Sequence, residues 1–277
     1  MSNDSLRARI RLAIGGDLMI GDRLPSPDGS HRYAATQGRD AALVTVYPRA
    51  PIGPTPEALR SMVDRFRAAQ HAALVAPGDT ADVDGRACLV TPQPAGPTLR
   101  ERLARRSALP VHEAIAVLRD LARALASLHR RDLTHGVLDL DAIYLTDGGA
   151  VLSGVDTSGT GTVRGDLDAL GRVGYALFAG DLPADVPLPL SRHRRALPPE
   201  LHHLIDSMVD PDVTRRPARA EDVLGALDAV RARHPMLIPS FLDGADHGAR
   251  LPQSVSSRIL VAVAAILLAA WLVAVGG

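Results

Sequence analysis

Three carboxylates lie close together in the middle of the chain, in and just after the stretch HGVLDLDAIYL at residues 135–145. They are Asp139, Asp141 and Asp156, and Mg²⁺ prefers oxygen ligands of this kind. His135 opens the same stretch, and an imidazole can act as a general base. Aspartates are also common in surface turns, where their side chains accept backbone hydrogen bonds. The spacing leaves two interpretations open, a rebuilt metal site and ordinary turn carboxylates, and we favour the second.

Two regions of different character must position these side chains. Residues 12–98 contain short apolar runs such as ALVTVY and ACLVTP, which predict strands, and one amphipathic helix over about 57–74. Residues 99–230 are mostly helical, with an apolar stripe over 111–128 and a hairpin signal in AIYLTDGGAVLSGV. A small β-rich lobe followed by a larger helical lobe predicts an α+β fold.

Composition excludes several classes of protein and partner. The 31 basic and 31 acidic side chains balance, so we expect no nucleic-acid partner. The single cysteine, Cys88, excludes a disulfide within the chain and a cysteine-based zinc site. Because Cys88 lies in the apolar run ACLV, we predict that it is a small residue of the core.

The last part of the chain differs from both regions. Residues 231–257 are rich in Pro, Gly and Ser and predict a juxtamembrane linker. Residues 259–275 carry no charge, and as a helix they would span roughly 25 Å at about 1.5 Å per residue. We therefore predict one transmembrane helix over 258–275. Arg250 and Arg258 precede it, so the positive-inside bias predicts a single-pass protein of the cell membrane with most of the chain in the cytoplasm.

Five stretches, taken in order, resemble a bacterial serine/threonine protein kinase. The resemblance is carried by the hinge and first large-lobe helix, the catalytic loop, the metal-binding strand, the central helix and the segment before the last helix. In this chain these are LVTPQPAGPTL (89–99), LHRRDLTHGVLDLDAIYL (128–145), AVLSGVD (150–156), DLDALGRVGYALFAGDLP (166–183) and DPDVTRRPARAEDVL (210–224). The resemblance implies a two-lobed kinase-like domain over 12–230, with a small lobe at about 12–91 and a large lobe at about 96–230.

The same resemblance shows that the charged residues of phosphoryl transfer are missing. That reaction depends on placed charges, namely a phosphate-binding lysine with its glutamate partner, a catalytic aspartate and two metal ligands. These positions hold, in that order, Thr45, Ala69, Val137, Ala142 and Gly154. The loop lysine corresponds to Asp139, and the hinge residue expected to donate an N–H to adenine is Pro94, which has none.

Three kinase-like residues with structural roles are retained. The resemblance implies that His135 packs below the catalytic loop and that Asp166 accepts hydrogen bonds from the backbone of that loop. Arg216 matches an arginine whose partner lies in the activation segment, and that segment is nearly absent here. We therefore expect Arg216 to pair with another acid or to be solvated.

We predict a catalytically inactive pseudokinase, with no cofactor and no metal, that acts as a binding, scaffold or regulatory module. One alternative is a serine/threonine kinase with rewired chemistry that uses Asp139, Asp141 or Asp156. Another is a substrate or docking protein of an active kinase, which a phosphothreonine reader would then bind. Its phosphosites would be Thr157, Ser158, Thr160 and Thr162.

Overall fold

The computed structural model describes residues 3–26, 29–106, 108–154, 156–182 and 188–235. The predicted linker beyond residue 235 and the predicted transmembrane helix at 258–275 lie outside the described residues. Within the described ranges, no helix combines the length and apolar character that crossing a bilayer requires.

A five-stranded antiparallel sheet forms the first half of the fold. Its strands lie in the order β1-β2-β3-β5-β4 and comprise β1 (Leu18–Leu24), β2 (His31–Gln37), β3 (Asp40–Val46), β4 (Thr80–Asp82) and β5 (Ala87–Pro92). Gly38 has a φ of +63° and takes the first position of the two-residue turn between β2 and β3, where glycine is favoured. Cys88 is fully buried in β5, so its prediction as a core residue is confirmed.

An N-terminal helix that the sequence did not predict covers one face of this sheet. Helix α1 (Asn3–Ile14) packs Leu6 and Ile10 into a cluster that includes Val44 and Val90 of the sheet. Its apolar face consists of few positions among many charged ones, which is why the periodicity is weak. The packing extends the folded region to residue 3, ahead of the start at residue 12 that the sequence indicated.

Helix α2 (Pro56–Ala68) covers the opposite face, where Leu59 and Val63 contact Ala87 and Leu89 of β5. The hydroxyl of Thr55 accepts a hydrogen bond from the Ala58 N–H at 3.2 Å and caps its first turn.

Helix α2 ends before residue 74, where the prediction placed its end, so that boundary was wrong. The apolar residues beyond position 69 belong to an extended segment instead. In it, Leu74 pairs with Leu152, and the Val75 N–H donates to the Leu152 carbonyl at 2.9 Å. Apolar periodicity cannot distinguish the last turn of a helix from a buried extended segment of this length.

The second half of the fold is a helical lobe with one hairpin. It contains α3 (Leu99–Arg106), α4 (Val111–His129), β6 (Ile143–Thr146), β7 (Gly149–Leu152), α5 (Val163–Ala179), α6 (Pro199–Met208) and α7 (Ala220–Arg233). Helices α4 and α5 supply more of its core than any other elements, and the glycines of α5 let α6 approach closely. A Cβ at Gly171, for example, would lie 2.6 Å from the Cβ of Met208. A sheet lobe followed by a helical lobe confirms the predicted α+β class.

We expect Ile10→Ala to lower the free energy of unfolding by about 2–4 kcal/mol, because it removes a fully buried side chain between α1 and the sheet. Leu12→Ala in the same helix is the matched control, since Leu12 is 86% exposed, and it should change stability by less than about 0.5 kcal/mol. Urea denaturation of the two variants measures the difference. Equal effects would show that α1 does not pack on the sheet in solution.

Candidate functional site

A buried carboxylate organises the loop that resembles a catalytic loop. Asp166, in the first turn of α5, has a side chain that is 1% exposed. Its oxygens accept hydrogen bonds from the backbone N–H groups of His135 and Gly136, both at 2.8 Å. His129 at the end of α4 contributes its Nε2 at 2.9 Å. Asp166 therefore joins the end of α4, the loop and the start of α5.

The loop packs directly on a second carboxylate, that of Asp156. Gly136 has a φ of +70°, and a Cβ there would lie 2.6 Å from both the Cβ and Oδ2 of Asp156. Asp156 is itself buried and accepts hydrogen bonds from the N–H and hydroxyl of Ser158, at 2.7 and 2.6 Å, and from the Gly161 N–H at 3.1 Å. Asp156 thereby holds residues 157–162, the strip that follows it in sequence. Only glycine fits at position 136 while Asp156 is placed in this way.

His135 lies wholly inside the protein. Its side chain has no exposed surface, and neither ring nitrogen makes a hydrogen bond of normal geometry with the described residues. Burial lowers the pKa of His135, although the negative charge of Asp166 and the backbone of Ser153 act in the opposite direction. A neutral ring without access to solvent cannot take a proton from a substrate, so the geometry favours a packing role.

The two positions that would carry the catalytic and the principal metal-binding aspartate lie side by side and are uncharged. Val137 is 46% exposed. Gly154 has a φ of +111°, and a Cβ there would lie 3.4 Å from Cγ2 of Val137. A residue other than glycine at position 154 would be strained at this φ, so an aspartate there would cost stability.

The remaining three kinase-like positions are packed into the protein. Thr45 is 5% exposed and pairs with Leu89 across the sheet. Ala69 is buried at the C-cap of α2, and its carbonyl accepts a hydrogen bond from the Ser127 hydroxyl at 2.5 Å. Ala142 packs against the core of the helical lobe. None of them offers a charge to a phosphate or a metal ion.

Each of the three carboxylates singled out in the sequence has a local structural role. Asp139 accepts hydrogen bonds from the N–H groups of Asp141 and Ala142, at 2.9 and 2.7 Å. Asp141 pairs with Nε of Arg100, at 2.8 and 2.9 Å from its two oxygens. With Asp156 turned toward its own strip, the described part of the chain contains no group of three side chains able to hold a metal ion.

In the segment that resembles the hinge, backbone polar groups form hydrogen bonds with other parts of the protein. The Gln93 N–H donates to the Ala41 carbonyl at 2.8 Å, and the Pro97 carbonyl accepts from the Leu145 N–H at 3.0 Å. Gly96 approaches β6 so closely that a Cβ there would lie 2.1 Å from the Leu145 oxygen. Together with Pro94, which has no N–H, this leaves few backbone groups to recognise a purine.

Arg216 contacts an acid that the sequence analysis did not name. Its Nη2 lies 3.4 Å from Oδ1 of Asp168 in α5, and its Nε donates to the Asp210 carbonyl at 2.8 Å. Arg172 holds the other oxygen of Asp168 at 3.0 Å. The spacing of Asp168 and Arg172, four residues apart on one helix, is the signal that could have marked this acid in the sequence.

The four predicted phosphosites lie in the strip that Asp156 organises. Thr157 is half-buried, whereas Ser158, Thr160 and Thr162 are exposed. The Thr162 hydroxyl accepts from the Gly165 N–H at 3.0 Å and caps α5, and the Ser158 hydroxyl donates to Asp156. The Thr160 hydroxyl contacts that of Ser158 at 2.7 Å, a contact that stays within the strip.

Comparison with known proteins relates the chain to bacterial serine/threonine kinases. Over an alignment of 256 residues it is 25% identical to the serine/threonine-protein kinase pkn2 of Myxococcus xanthus. The alignment covers 69% of this chain, which spans 30% of that relative's length. No family model matches the chain. The sheet lobe and the helical lobe fit the kinase-like relation.

We expect Asp166→Ala to destabilise the protein by about 3 kcal/mol, because it leaves the buried N–H of His135 and the partly buried N–H of Gly136 without an acceptor. Asp166→Asn should cost less, since its carbonyl still accepts one of these bonds. The control is Asp147→Ala in the exposed hairpin turn, with an effect of less than about 0.5 kcal/mol. Chemical denaturation measures all three, and equal values for Asp166→Ala and Asp147→Ala would contradict the role of Asp166.

Stability should fall as the pH drops below about 6.5, the ordinary pKa of histidine. Burial lowers the pKa of His135 in the folded chain, so the unfolded chain binds a proton at higher pH. The pKa values of His31 and His71 are lowered by partial burial as well and act in the same direction. One such group contributes at most about 1.4 kcal/mol per pH unit.

Denaturation curves at pH 7, 6 and 5 test this dependence. The free energy of unfolding should decrease across the series, and His135→Gln should show a shallower decrease. Stability that stays constant or rises toward pH 5 would show that His135 is not buried in its neutral form.

Proposed function

We propose that this protein is a membrane-anchored pseudokinase that acts as a binding, scaffold or regulatory module in the cytoplasm and does not transfer phosphoryl groups. The proposal rests on the sequence similarity to a bacterial kinase, on the sheet and helical lobes, and on the chemistry of the loop between His135 and Asp156. The membrane anchor rests on the uncharged stretch at 259–275.

One observation carries this proposal: the hydrogen bonds that fix the backbone of the loop are present, while the residues at positions 137 and 154 carry no charge. Asp166 holds the backbone of His135 and Gly136 by two short hydrogen bonds. Next to this backbone, Val137 and Gly154 lie side by side. Neither residue has a side-chain group that could accept a proton or bind a metal ion. Phosphoryl transfer needs both abilities at this place.

Kinase activity with rewired chemistry is the alternative, and the bonding of the carboxylates counts against it. A magnesium ligand must offer free oxygen lone pairs toward a shared point. Asp139 and Asp156 instead accept backbone hydrogen bonds, and Asp141 pairs with Arg100. To bind a metal together with Asp139, Asp141 would have to release Arg100, and Asp156 would have to turn away from the N–H groups of Ser158 and Gly161.

A binding role is consistent with what this region retains. The loop is fixed by buried hydrogen bonds, and its exposed members include the apolar side chain of Val137, which is 46% exposed. A rigid surface loses little conformational entropy when a partner binds. Partners in keeping with the similarity are an active kinase or a reader of phosphothreonine, brought together at the membrane by the anchor.

Nucleotide titration of the full chain in detergent or nanodiscs tests the proposal. We expect no saturable change in melting temperature up to millimolar ATP, with or without Mg²⁺, and no transfer of label from γ-labelled ATP. An active serine/threonine kinase in the same buffer is the positive control.

Two substitutions separate the alternatives in that assay. Asp139→Asn and Asp156→Asn should have no effect on a background of zero transfer. Label transfer by the native chain that either substitution abolishes would establish rewired catalysis and overturn the proposal. Saturable binding of ATP without transfer would contradict the prediction that the protein has no cofactor, but it would agree with a binding role.

A further inference from the structure

An open cavity of about 490 Å³ lies at the C-terminal end of α2, away from the loop that resembles a catalytic loop. It is formed by the last turn of the helix and the segment that follows. Its lining residues are Phe66, Arg67, Gln70, His71, Ala72, Leu74, Val75 and Ala76. A volume of this size accommodates a small organic molecule.

The apolar wall of the cavity is held in place by the fold. Phe66 is 7% exposed and belongs to a buried cluster that joins α2 to the end of α4. Leu74 and Val75 are fixed by their backbone pairing with Leu152 of β7. The wall is therefore formed before any ligand arrives, which reduces the entropy that binding would cost.

The polar side of the cavity contains a histidine whose proton position follows from its bonding. Nδ1 of His71 accepts a hydrogen bond from the Ala73 N–H at 3.1 Å. A neutral imidazole has one acceptor and one donor nitrogen, so the proton is on Nε2. His71 thus provides a donor on the cavity lining.

The charges around this histidine are positive. Partial burial lowers the pKa of His71, and the guanidinium groups of Arg123 and Arg130 lower it further. An anion beside His71 would be attracted by these charges. Two of the nearby arginines have other partners as well. Arg130 lies 3.3 Å from a carboxylate oxygen of Glu221, and Arg67 donates to the carbonyls of Pro77 and Gly78.

Arg67 is also partly neutralised, since it lies 3.8 Å from carboxylate oxygens of both Asp64 and Asp79. It fixes the rim of the cavity without supplying free positive charge. Recognition of an anion therefore falls to His71, with the apolar wall opposite. This combination matches a molecule that has an apolar body and one negative group.

We propose that this cavity binds a small apolar carboxylate, with its apolar body against Phe66, Leu74 and Val75 and its carboxylate accepting a hydrogen bond from Nε2 of His71. This site goes beyond the proposed function and does not depend on it. Because the wall joins α2 to β7, an occupied cavity stabilises the contact between the sheet lobe and the helical lobe.

The probe for the test is 4-phenylbutyrate, with 4-phenylbutan-1-ol and 4-phenylbutylamine as matched neutral and cationic compounds. The full chain in nanodiscs is titrated with each compound, and the ring signals of His71, assigned from the His71→Gln variant, are followed by NMR. We expect saturable binding of the carboxylate, at least tenfold tighter than that of either matched compound. The pKa of His71 should rise in the complex, because the bound carboxylate favours the imidazolium form.

Two substitutions locate the site. Ala76→Trp fills the mouth of the cavity from an exposed position and should weaken 4-phenylbutyrate binding at least tenfold. Ala68→Trp, at an exposed position of α2 outside the lining, is the matched control and should have no effect. Equal affinity for the alcohol and the carboxylate, or unchanged binding by Ala76→Trp, would overturn the proposal. If Ala76→Trp does not fold, the comparison of the three compounds on the native chain decides alone.

Discussion

The buried carboxylate of Asp166 is the interaction on which the central loop depends. A charge in the interior is tolerated only when donors surround it, and here two backbone N–H groups and His129 do so. Within the loop, these bonds are made by backbone N–H groups and do not involve its side chains. The loop can therefore keep its shape when an exposed side chain such as that of Val137 is substituted.

The residues that shape this region are different from those that would act on a ligand. Stability comes from the core of α4 and α5 and from bonds such as that between Arg216 and Asp168. Phosphoryl transfer needs charges on the surface of a cleft, and removing such charges relieves repulsion or desolvation and leaves the core intact. A scaffold without the charges is consequently a stable state of this architecture.

Much of the architecture could be predicted from local patterns in the sequence. The apolar runs of β3 and β5, the stripe of α4 and the turn between β6 and β7 are encoded by neighbouring residues. Helix α1 was missed because its contacts with the sheet are long-range and its apolar face is narrow. The roles of Asp156 and Asp168 were missed for a different reason. Ser158, Gly161 and Arg172 are near them in sequence, but the sequence offers each carboxylate several such partners. Only the fold selects among these partners and brings Arg216 to Asp168.

The glycines of the loop region restrict which residues positions 136 and 154 can accept. An aspartate at position 154 meets a left-handed backbone, and a side chain at position 136 meets Asp156. A larger residue at either position alone would cost stability, and at position 136 Asp156 and the strip it holds would have to move to make room. Substitution at these two positions is therefore coupled to the conformation of the neighbouring backbone, so a library that varied either position alone would return mainly glycine.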